Sequence, residues 1–232
     1  MLSSAGFAKT FQYIDLFKQG VVCTVSLSVL TVFFGFIIAL FLAILRISKL
    51  HPFDYLATAY VEVFRATPML VQLFIVYYVF FGNVSLPSFK LFGFIRFERF
   101  LPGVVALAMN SGAYLSEIIR AGIQSIDVGQ TEAARSLGMS SFQTMKSVIL
   151  PQAVKNILPA IANEFVTIIK ESSICYTIGV QDIMYAVSAT KGATYRIAEP
   201  LVIATLVYFC LTFPTSKIIA YFERRMARAD RH

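Results

Sequence analysis

The 232-residue chain has no tryptophan, only two histidines and three cysteines, and charged residues make up 14% of it. Cys23, Cys175 and Cys210 lie far apart and form no Cys-x-x-Cys pair, so the sequence gives no sign of a metal or redox site. His51 and His232 have no accompanying pattern of acidic residues that would indicate a catalytic centre. These shortages argue against an integral membrane enzyme.

The sequence also lacks the Gly-x-x-x-x-Gly-Lys-Ser/Thr loop with which many ATPases hold phosphate groups. The chain therefore cannot supply an ATP site of that kind. Its formal net charge of +7 raises the question of nucleic-acid binding. The basic residues flank apolar segments and form no basic face with stacked aromatic residues, so we expect no nucleic-acid partner.

Apolar residues are what the sequence has in excess. Hydrophobic residues make up 57% of the chain, with 22 Phe, and the mean hydropathy is +0.72. Soluble domains carry about 25% charged residues, so a bilayer is the natural solvent for this chain. Residues 21–45 contain no charged side chain. As a helix this run exceeds the ~30 Å hydrocarbon thickness, and no cleavage site for a secretory signal follows it.

The pattern as a whole predicts an all-α integral membrane protein with about five transmembrane helices. We expect an amphipathic helix over residues 1–19, a single transmembrane domain over 20–220 and a basic tail over 221–232. The predicted spans are residues 21–45, 56–81, 101–121, 152–172 and 197–219.

The segments between the spans carry further signals. Pro68 should kink or break the second span because it lacks a backbone N–H. Residues 82–100 are predicted to form an external loop, and residues 173–196 a partly embedded external segment that is too short and too polar to cross. The excess of basic residues on the side of the C-terminus is only modest, so the prediction of a cytoplasmic C-terminus depends mainly on the polar insert at about 122–150 facing the cytoplasm.

The sequence of the polar insert at about 122–150 predicts two short helices. Helix-favouring residues precede Gly138, which can adopt the left-handed turn that ends a helix. Ser140 or Ser141 could cap the second helix, and Pro151 lies where the next span would begin. Alternatively, the insert could be an ordinary polar helical hairpin that connects two spans and has no further function.

From Asn110 to Ile174 the sequence resembles the polar amino acid branch of the type I ABC importer permeases, of the histidine, glutamine or arginine type. The likeness extends over most of the chain outside residues 82–100 and the termini. The matching words are Gly112-Ala113-Tyr114, Glu117-Ile118-Ile119-Arg120-Ala121-Gly122-Ile123, Gly129-Gln130, Glu132-Ala133-Ala134, Leu137-Gly138, Leu150-Pro151-Gln152-Ala153, Asn163 and Lys170-Glu171-Ser172-Ser173, with Glu62, Arg65, Thr67, Pro68, Leu70, Val71 and Gln72 upstream.

The resemblance implies a role for the insert. In that family the Glu-Ala-Ala helix docks in a cleft of a nucleotide-binding subunit, and closure of two such subunits around ATP switches the spans between inward and outward access. The chain is then a transport subunit and not an enzyme, with no cofactor of its own and with ATP and magnesium in the partner. The residues implied to couple it to the ATPase are Glu132, Ala133, Ala134, Arg135, Leu137 and Gly138.

The resemblance also implies an assembly in the bacterial inner (cytoplasmic) membrane. Its expected partners are two nucleotide-binding ATPase subunits, a second permease copy, an extracytoplasmic solute-binding protein, the amino acid substrate and membrane lipid. Whether the second copy is identical, giving a homodimer, or a homologue, giving a heterodimer, is left open by the sequence.

Charged residues within the fourth span mark a possible substrate site, because a charge at mid-membrane costs at least ~2.5–3.5 kcal/mol unless it faces a cavity or a partner. Glu164 and Glu171 share a helix face about 10.5 Å apart, with Thr167 nearby, whereas Lys170 should point elsewhere. Two stacked carboxylates could hold the ammonium groups of arginine, lysine or histidine. In family members that carry basic amino acids, acidic residues on this helix line the cavity.

Alternatives exist for each of these residues. Glu164 could pair with Lys170 or Arg65, and Glu171 could lie outside at the external rim. Thr67 and Gln72 lie at the expected helix break, where freed backbone groups could bind a ligand, and Asn110 is a further substrate-binding candidate. The small polar residues Asn110, Ser111 and Gly112 could instead serve close helix packing.

Other functions compete with import of basic amino acids. The same machinery could carry a neutral polar amino acid such as glutamine or cystine. An ion-coupled secondary transporter could use Glu164, Lys170 and Glu171 as a relay, but the sequence shows no inverted repeat and the polar insert would then have no role.

Overall fold

The structure, a computed structural model, describes residues 2–47 and 51–229. The last residues of the predicted tail, 230–232, lie outside the described residues. The described elements, in chain order, are α1 (Ser4–Phe11), α2 (Ile14–Ile47), α3 (His51–Ala66), α4 (Met69–Phe74) with its π-helical continuation (Ile75–Phe80), β1 (Lys90–Leu91), β2 (Ile95–Arg96), α5 (Phe97–Gln124), α6 (Val128–Ser136), α7 (Ser141–Thr144) with a π-helical continuation (Met145–Ile149), α8 (Leu150–Glu171), a 3-10 helix (Ser172–Ile178), α9 (Ile183–Thr194) and α10 (Ala198–Ala229).

The N-terminal region differs from the single amphipathic helix predicted over residues 1–19. Helix α1 ends at Phe11 and α2 begins at Ile14, so residues 14–19 already belong to the first long helix. Ser3 caps α1 by accepting a hydrogen bond from the backbone N–H of Gly6 at 3.0 Å. The Arg196 guanidinium donates to the Ser3 hydroxyl at 2.9 Å, which fastens α1 beside the start of α10.

Two of the described helices, over Ile14–Arg46 and Ala198–Arg225, are long and apolar enough to cross a membrane by themselves. The pair His51–Ala66 and Met69–Phe80 would make a third crossing if it is one broken span. Helices α5 and α8 are 28 and 22 residues long but carry polar faces. The number of five spans therefore stays a prediction.

The break predicted at Pro68 is confirmed. Helices α3 and α4 meet there at a bend of 110°. Pro68 itself has an extended backbone with φ of −65° and ψ of 135°, and it offers no N–H to the carbonyl one turn earlier.

The predicted loop over 82–100 is wrong at its C-terminal end, because α5 begins at Phe97. Upstream of α5, β1 and β2 form a short antiparallel hairpin. Its turn has positive φ at Phe92 and Gly93, and Ile95 is buried in the main core. Burial of Ile95 draws the end of this loop against the helices and lets α5 start early.

Residues 173–196 are more deeply enclosed by protein than a partly embedded segment suggests. The 3-10 helix contributes Cys175 and Ile178 to the main core, and Ile183 of α9 is fully buried. Asp182 caps α9 by accepting from the Tyr185 N–H at 2.8 Å. With 12 residues, α9 is too short to cross, as the sequence indicated.

Helices α2 and α5 form the central pair, and glycine sets their separation. A Cβ atom placed on Gly112 of α5 would lie 2.6 Å from Cγ2 of Ile38 on α2. One placed on Gly35 of α2 would lie 3.1 Å from the Ser111 hydroxyl of α5. The two backbones therefore approach at a distance that larger side chains at these positions would prevent.

We expect Gly112→Ala to destabilise the protein by about 1–3 kcal/mol, because the added methyl group overlaps Ile38 in a packed contact. Gly192→Ala is the matched control, since a Cβ atom at Gly192 meets no other atom within 4 Å. Thermal unfolding of the detergent-solubilised variants measures the difference. Equal midpoints for the two variants would contradict this account of the α2–α5 contact.

Candidate functional site: polar insert, helix break and acidic helix

The first helix of the polar insert has well-defined ends. Asp127 caps α6 by accepting from the Gly129 N–H at 2.7 Å. Gly138 has φ of +84°, which confirms the predicted left-handed turn after the helix. The Met139 N–H returns to the Ala134 carbonyl at 3.2 Å and closes this end of α6.

The second helix continues directly into the next long helix. Ser140, one of the two predicted caps, accepts from the Gln143 N–H, while the Gln143 side chain accepts from the Ser140 N–H. From α7 the chain passes through the π-helical turn into α8 without a loop. The insert is thus joined to α8 through helical backbone.

The predicted coupling residues form a surface that the described chain leaves largely uncovered. Ala134 is the buried member and faces the protein. Arg135 donates to the Met139 carbonyl at 2.8 Å, so this side chain also holds the turn after α6. Leu137 is 84% exposed and lies with exposed Val128 and Phe142 on the same insert. The exposed coupling residues are Glu132, Ala133, Arg135, Leu137 and Gly138.

The helix break at Pro68 is held by side-chain amides. Because Pro68 has no N–H, the Phe64 carbonyl lacks its normal helical partner. The Gln72 side-chain amide donates to that carbonyl at 2.8 Å and to the Thr67 hydroxyl at 2.8 Å. Asn110 of α5 donates to the Gln72 side-chain carbonyl at 2.8 Å and to the Phe64 carbonyl at 3.4 Å.

The structure thus brings Thr67, Gln72 and Asn110 together. Their side chains form hydrogen bonds mainly to one another. Gln72 and Asn110 are 7% and 6% exposed, and their amide groups are used in bracing the break. The sequence left close helix packing as an alternative role for Asn110, Ser111 and Gly112. Gly112 has this role, because α2 packs directly against it, whereas Asn110 does not. Contact of these side chains with a substrate stays a prediction.

The acidic residues of α8 occupy two different surroundings. The half-buried Glu164 lies beside the Ser111 hydroxyl of α5, which is 2% exposed. Thr167, on the following turn, donates to the Asn163 carbonyl at 3.3 Å. Glu171 is exposed at the end of α8. Among the described residues, neither carboxylate has an ion-pair partner within 4 Å.

The alternative in which Glu164 pairs with Lys170 or Arg65 is therefore wrong. Arg65 instead approaches Glu117, with Nη1 3.9 Å from Oε2. Glu117 also binds Arg120 at 2.8 Å and Arg46 of α2.

Sequence reasoning missed this cluster around Glu117. The spacing of Glu117 and Arg120, three residues apart on α5, was a usable signal for one pair. Nothing in the sequence indicated that Arg46 and Arg65, from other helices, would join it. The cluster gathers three guanidinium groups around a single carboxylate near the ends of α2 and α5 that adjoin the insert.

A cavity of about 610 Å³ lies at the opposite end of α8 from the insert. Lys170 and Glu171 both border it, which corrects the expectation that Lys170 would point elsewhere. The two side chains leave the helix about 100° apart. Both border the cavity where α8 ends, and Ser173, Ile174 and Tyr176 of the following 3-10 helix line it as well. Glu164 does not border this cavity.

Comparison with known proteins identifies the family. A model of the family described as "Binding-protein-dependent transport system inner membrane component" matches residues 13–228. The chain belongs to this family.

Individual relatives agree with this membership. The arginine transport system permease protein ArtQ of Bacillus subtilis is 42% identical, over 97% of this chain and 98% of its own. A permease of Rickettsia conorii named for glutamine transport is 39% identical, over 94% of this chain and 96% of its own.

Solved structures show the same fold. A crystal structure of an amino acid ABC transporter with histidines matches with a TM-score of 0.87 and 43% identity, over 97% of this chain and 100% of that one. The MetNI methionine ABC transporter matches with a TM-score of 0.73 at 18% identity, over 92% of this chain and 97% of that one, which shows the fold alone.

These findings confirm the resemblance to type I ABC importer permeases and the fold class that it implied. The chain is a membrane-embedded permease subunit of an ABC transporter, and ATP hydrolysis lies in a separate subunit. The ion-coupled secondary transporter and the membrane enzyme are thereby set aside.

We expect Gln72→Leu to destabilise the protein by about 1–3 kcal/mol, because the Phe64 and Thr67 carbonyls at the break lose their main donor. Gln12→Leu, at an exposed glutamine between α1 and α2 whose side chain makes no hydrogen bond to the described residues, is the control. Thermal unfolding reports stability, and spin-label distances between α3 and α4 report the bend. Unchanged stability and an unchanged bend in Gln72→Leu would contradict the role of Gln72 in holding the break.

Proposed function

We propose that this chain is the transmembrane subunit of an importer for basic amino acids, such as arginine, lysine or histidine. The observation that carries the proposal is Glu164, a half-buried carboxylate on α8 with no cationic partner among the described residues. Two comparisons support the same choice, because one relative is named for arginine transport and one solved structure is of an amino acid ABC transporter with histidines.

The charge of Glu164 is the physical basis of selectivity. A carboxylate among membrane helices is costly unless a cation or hydrogen-bond donors reach it. The guanidinium or ammonium group of a basic substrate supplies that charge, with the Ser111 hydroxyl beside it. Thr167 lies one turn further along the same helix, and Glu171 lies two turns beyond Glu164 at the outer end.

A neutral polar substrate is the second candidate. The relative from Rickettsia conorii is named for glutamine transport and is nearly as similar as the arginine permease. An amide side chain could hydrogen-bond to Glu164 and Ser111 without bringing a charge.

The working assembly follows from the family. Two nucleotide-binding ATPase subunits would hold ATP and magnesium, a second permease copy would complete the pathway, and an extracytoplasmic binding protein would deliver the substrate. The insert would then face the cytoplasm of a bacterium from the inner membrane. The basic end of α10, with Arg224 and Arg225, would lie on the same side.

Uptake into proteoliposomes tests this function. The reconstituted complex would have ATP inside, the binding protein outside and a panel of labelled amino acids. We expect ATP-dependent uptake of arginine, lysine or histidine in preference to glutamine. Preference for glutamine would establish the second candidate, and the absence of ATP-dependent amino acid uptake would overturn both.

We expect Glu164→Gln to weaken binding of basic amino acids by about tenfold or more, because a charge-assisted hydrogen bond is lost. Glutamine binding should change little, since the new amide keeps the shape of the side chain. Glu62→Gln, at an exposed glutamate of α3, is the control. The measurement is the affinity of the purified complex for labelled arginine. An unchanged affinity in Glu164→Gln would show that Glu164 does not bind the substrate.

We expect Gly138→Val to reduce ATP-driven uptake at least tenfold while membrane insertion stays normal. A β-branched residue fits poorly at φ of +84°, so the turn that presents the coupling surface is distorted. Gly138→Asn is the matched control, because asparagine tolerates this backbone conformation. Glu132→Lys, which reverses a charge on the same surface, should uncouple transport as well. Wild-type uptake in Gly138→Val and Glu132→Lys would contradict the coupling role.

A further inference from the structure

The cluster around Glu117 carries more positive charge than its single carboxylate can balance. Nη2 of Arg120 lies 2.8 Å from Oε2 of Glu117, and Nη1 of Arg65 lies 3.9 Å from the same oxygen. Nη1 of Arg46 donates to the other carboxylate oxygen, Oε1. Among the described residues, these arginines have no second acidic partner within 4 Å. Three guanidinium groups against one carboxylate leave two positive charges in excess.

A cavity of about 260 Å³ lies beside this cluster. Within the described chain, the Arg46 guanidinium donates to Glu117 through Nη1 alone, so its Nε and Nη2 donors are available to a ligand. The Gln124 side-chain carbonyl accepts from Arg120 Nη1 at 2.6 Å, which leaves the N–H groups of that amide to donate elsewhere. The residues that line the cavity are Ala43, Arg46, Arg120, Ile123 and Gln124.

The charge and the size of the cavity suit a phosphate group. The guanidinium group of arginine is planar, is always charged and donates paired hydrogen bonds to phosphate oxygens. Binding of a phosphate group would reduce the excess of positive charge. Pockets that enclose a whole small-molecule ligand typically measure roughly 300–1,000 Å³. A cavity just below that range fits a head group whose remainder lies outside it.

The position of the cavity favours a lipid as the source of the phosphate. Arg46 directly follows the uncharged run 21–45 of α2, a helix that is long and apolar enough to cross a membrane. Arg46 therefore lies where the hydrocarbon core ends and the head groups begin. Helix α5 ends at the same level, four residues after Arg120. Basic pockets between membrane helices typically bind the head groups of anionic lipids.

We propose that the cavity beside Arg46 and Arg120 binds a phosphate group, which its position assigns to the head group of an anionic phospholipid. Arg46 and Arg120 donate to the phosphate oxygens, while Glu117 holds both guanidinium groups from the other side. The bound head group would connect the ends of α2 and α5 directly before the polar insert. This site goes beyond the proposed function, because it takes no part in recognition of the amino acid at Glu164.

The test measures phosphate binding to the delipidated, purified permease–ATPase complex. Native mass spectrometry follows titration with phosphatidylglycerol or phosphatidylcholine, and equilibrium dialysis follows labelled inorganic phosphate. We expect the wild type to bind phosphatidylglycerol about fivefold or more tightly than phosphatidylcholine. Arg46→Gln should weaken binding of phosphatidylglycerol about tenfold, because charge-assisted hydrogen bonds are lost. Arg225→Gln, at an exposed arginine of α10 outside the cavity lining, is the matched control for the loss of one positive charge.

A second variant changes binding in the opposite direction. Glu117→Gln removes the carboxylate that competes with phosphate for the guanidinium groups, so we expect phosphatidylglycerol to bind about threefold or more tightly than in the wild type. A cluster that only holds α2 to α5 would show no such gain. Glu117→Gln also tests the site should Arg46→Gln assemble poorly, which the size-exclusion profile of each variant reports.

The outcomes distinguish the two sources of phosphate. Weaker lipid binding in Arg46→Gln and tighter binding in Glu117→Gln, with Arg225→Gln unchanged, would support the lipid site. The same pattern for inorganic phosphate, but not for the lipid, would assign the cavity to free phosphate. Equal affinities of the wild type, Arg46→Gln and Glu117→Gln for both probes would overturn the proposal. Phosphate bound by the ATPase subunits cannot produce these differences, since those subunits are the same in every complex.

Discussion

The close approach of α2 and α5 is the constraint on which the remaining structure depends. Gly35 and Gly112 leave room for Ile38 and Ser111 at the contact, so the two longest helices of the first half pack backbone to backbone. That contact fixes α5, and α5 in turn carries Asn110 toward the helix break and Ser111 toward Glu164. A wider separation would displace both groups from α3, α4 and α8 together.

The break at Pro68 shows how a membrane protein satisfies backbone groups that a straight helix would satisfy by itself. Exposed carbonyl groups are costly in hydrocarbon, so an irregular segment at membrane depth requires donors from the protein. Gln72 and Asn110 supply them, and the bend directs α4 away from α3. Met69, the first residue of α4, borders the cavity at the C-terminal end of α8. The brace thus contributes to the shape of this cavity, although the amide groups of Gln72 and Asn110 bind mainly to each other and to the break.

Helix α8 joins the polar insert, Glu164 and the cavity within one continuous element. Its N-terminal end follows from α7 through a π-helical turn, with no loop to absorb movement of the insert. Its middle carries Glu164, and its C-terminal end brings Lys170 and Glu171 to the cavity of about 610 Å³. A displacement of the insert by a partner subunit would therefore be passed to the acidic residues through a single helix. Within the insert, the exposed residues around Leu137 are those available to such a partner, while Ala134 and Arg135 hold the local fold.

The sequence by itself determined the features that depend on neighbouring residues: the break at Pro68, the left-handed turn at Gly138, a helix cap at Ser140 or Ser141, and the family resemblance. It was less successful with the bounds of elements, as at Phe97 and in the N-terminal helix, where tertiary burial decided where a helix starts. Only the tertiary structure decided which side chains meet. Arg46 joins Glu117 across 71 positions, Asn110 joins Gln72 across 38, and Lys170 shares a cavity with residues of α4, α9 and α10. Helical caps and breaks arise from hydrogen bonds within a turn or two, whereas these pairings depend on how whole helices pack, which local patterns do not encode.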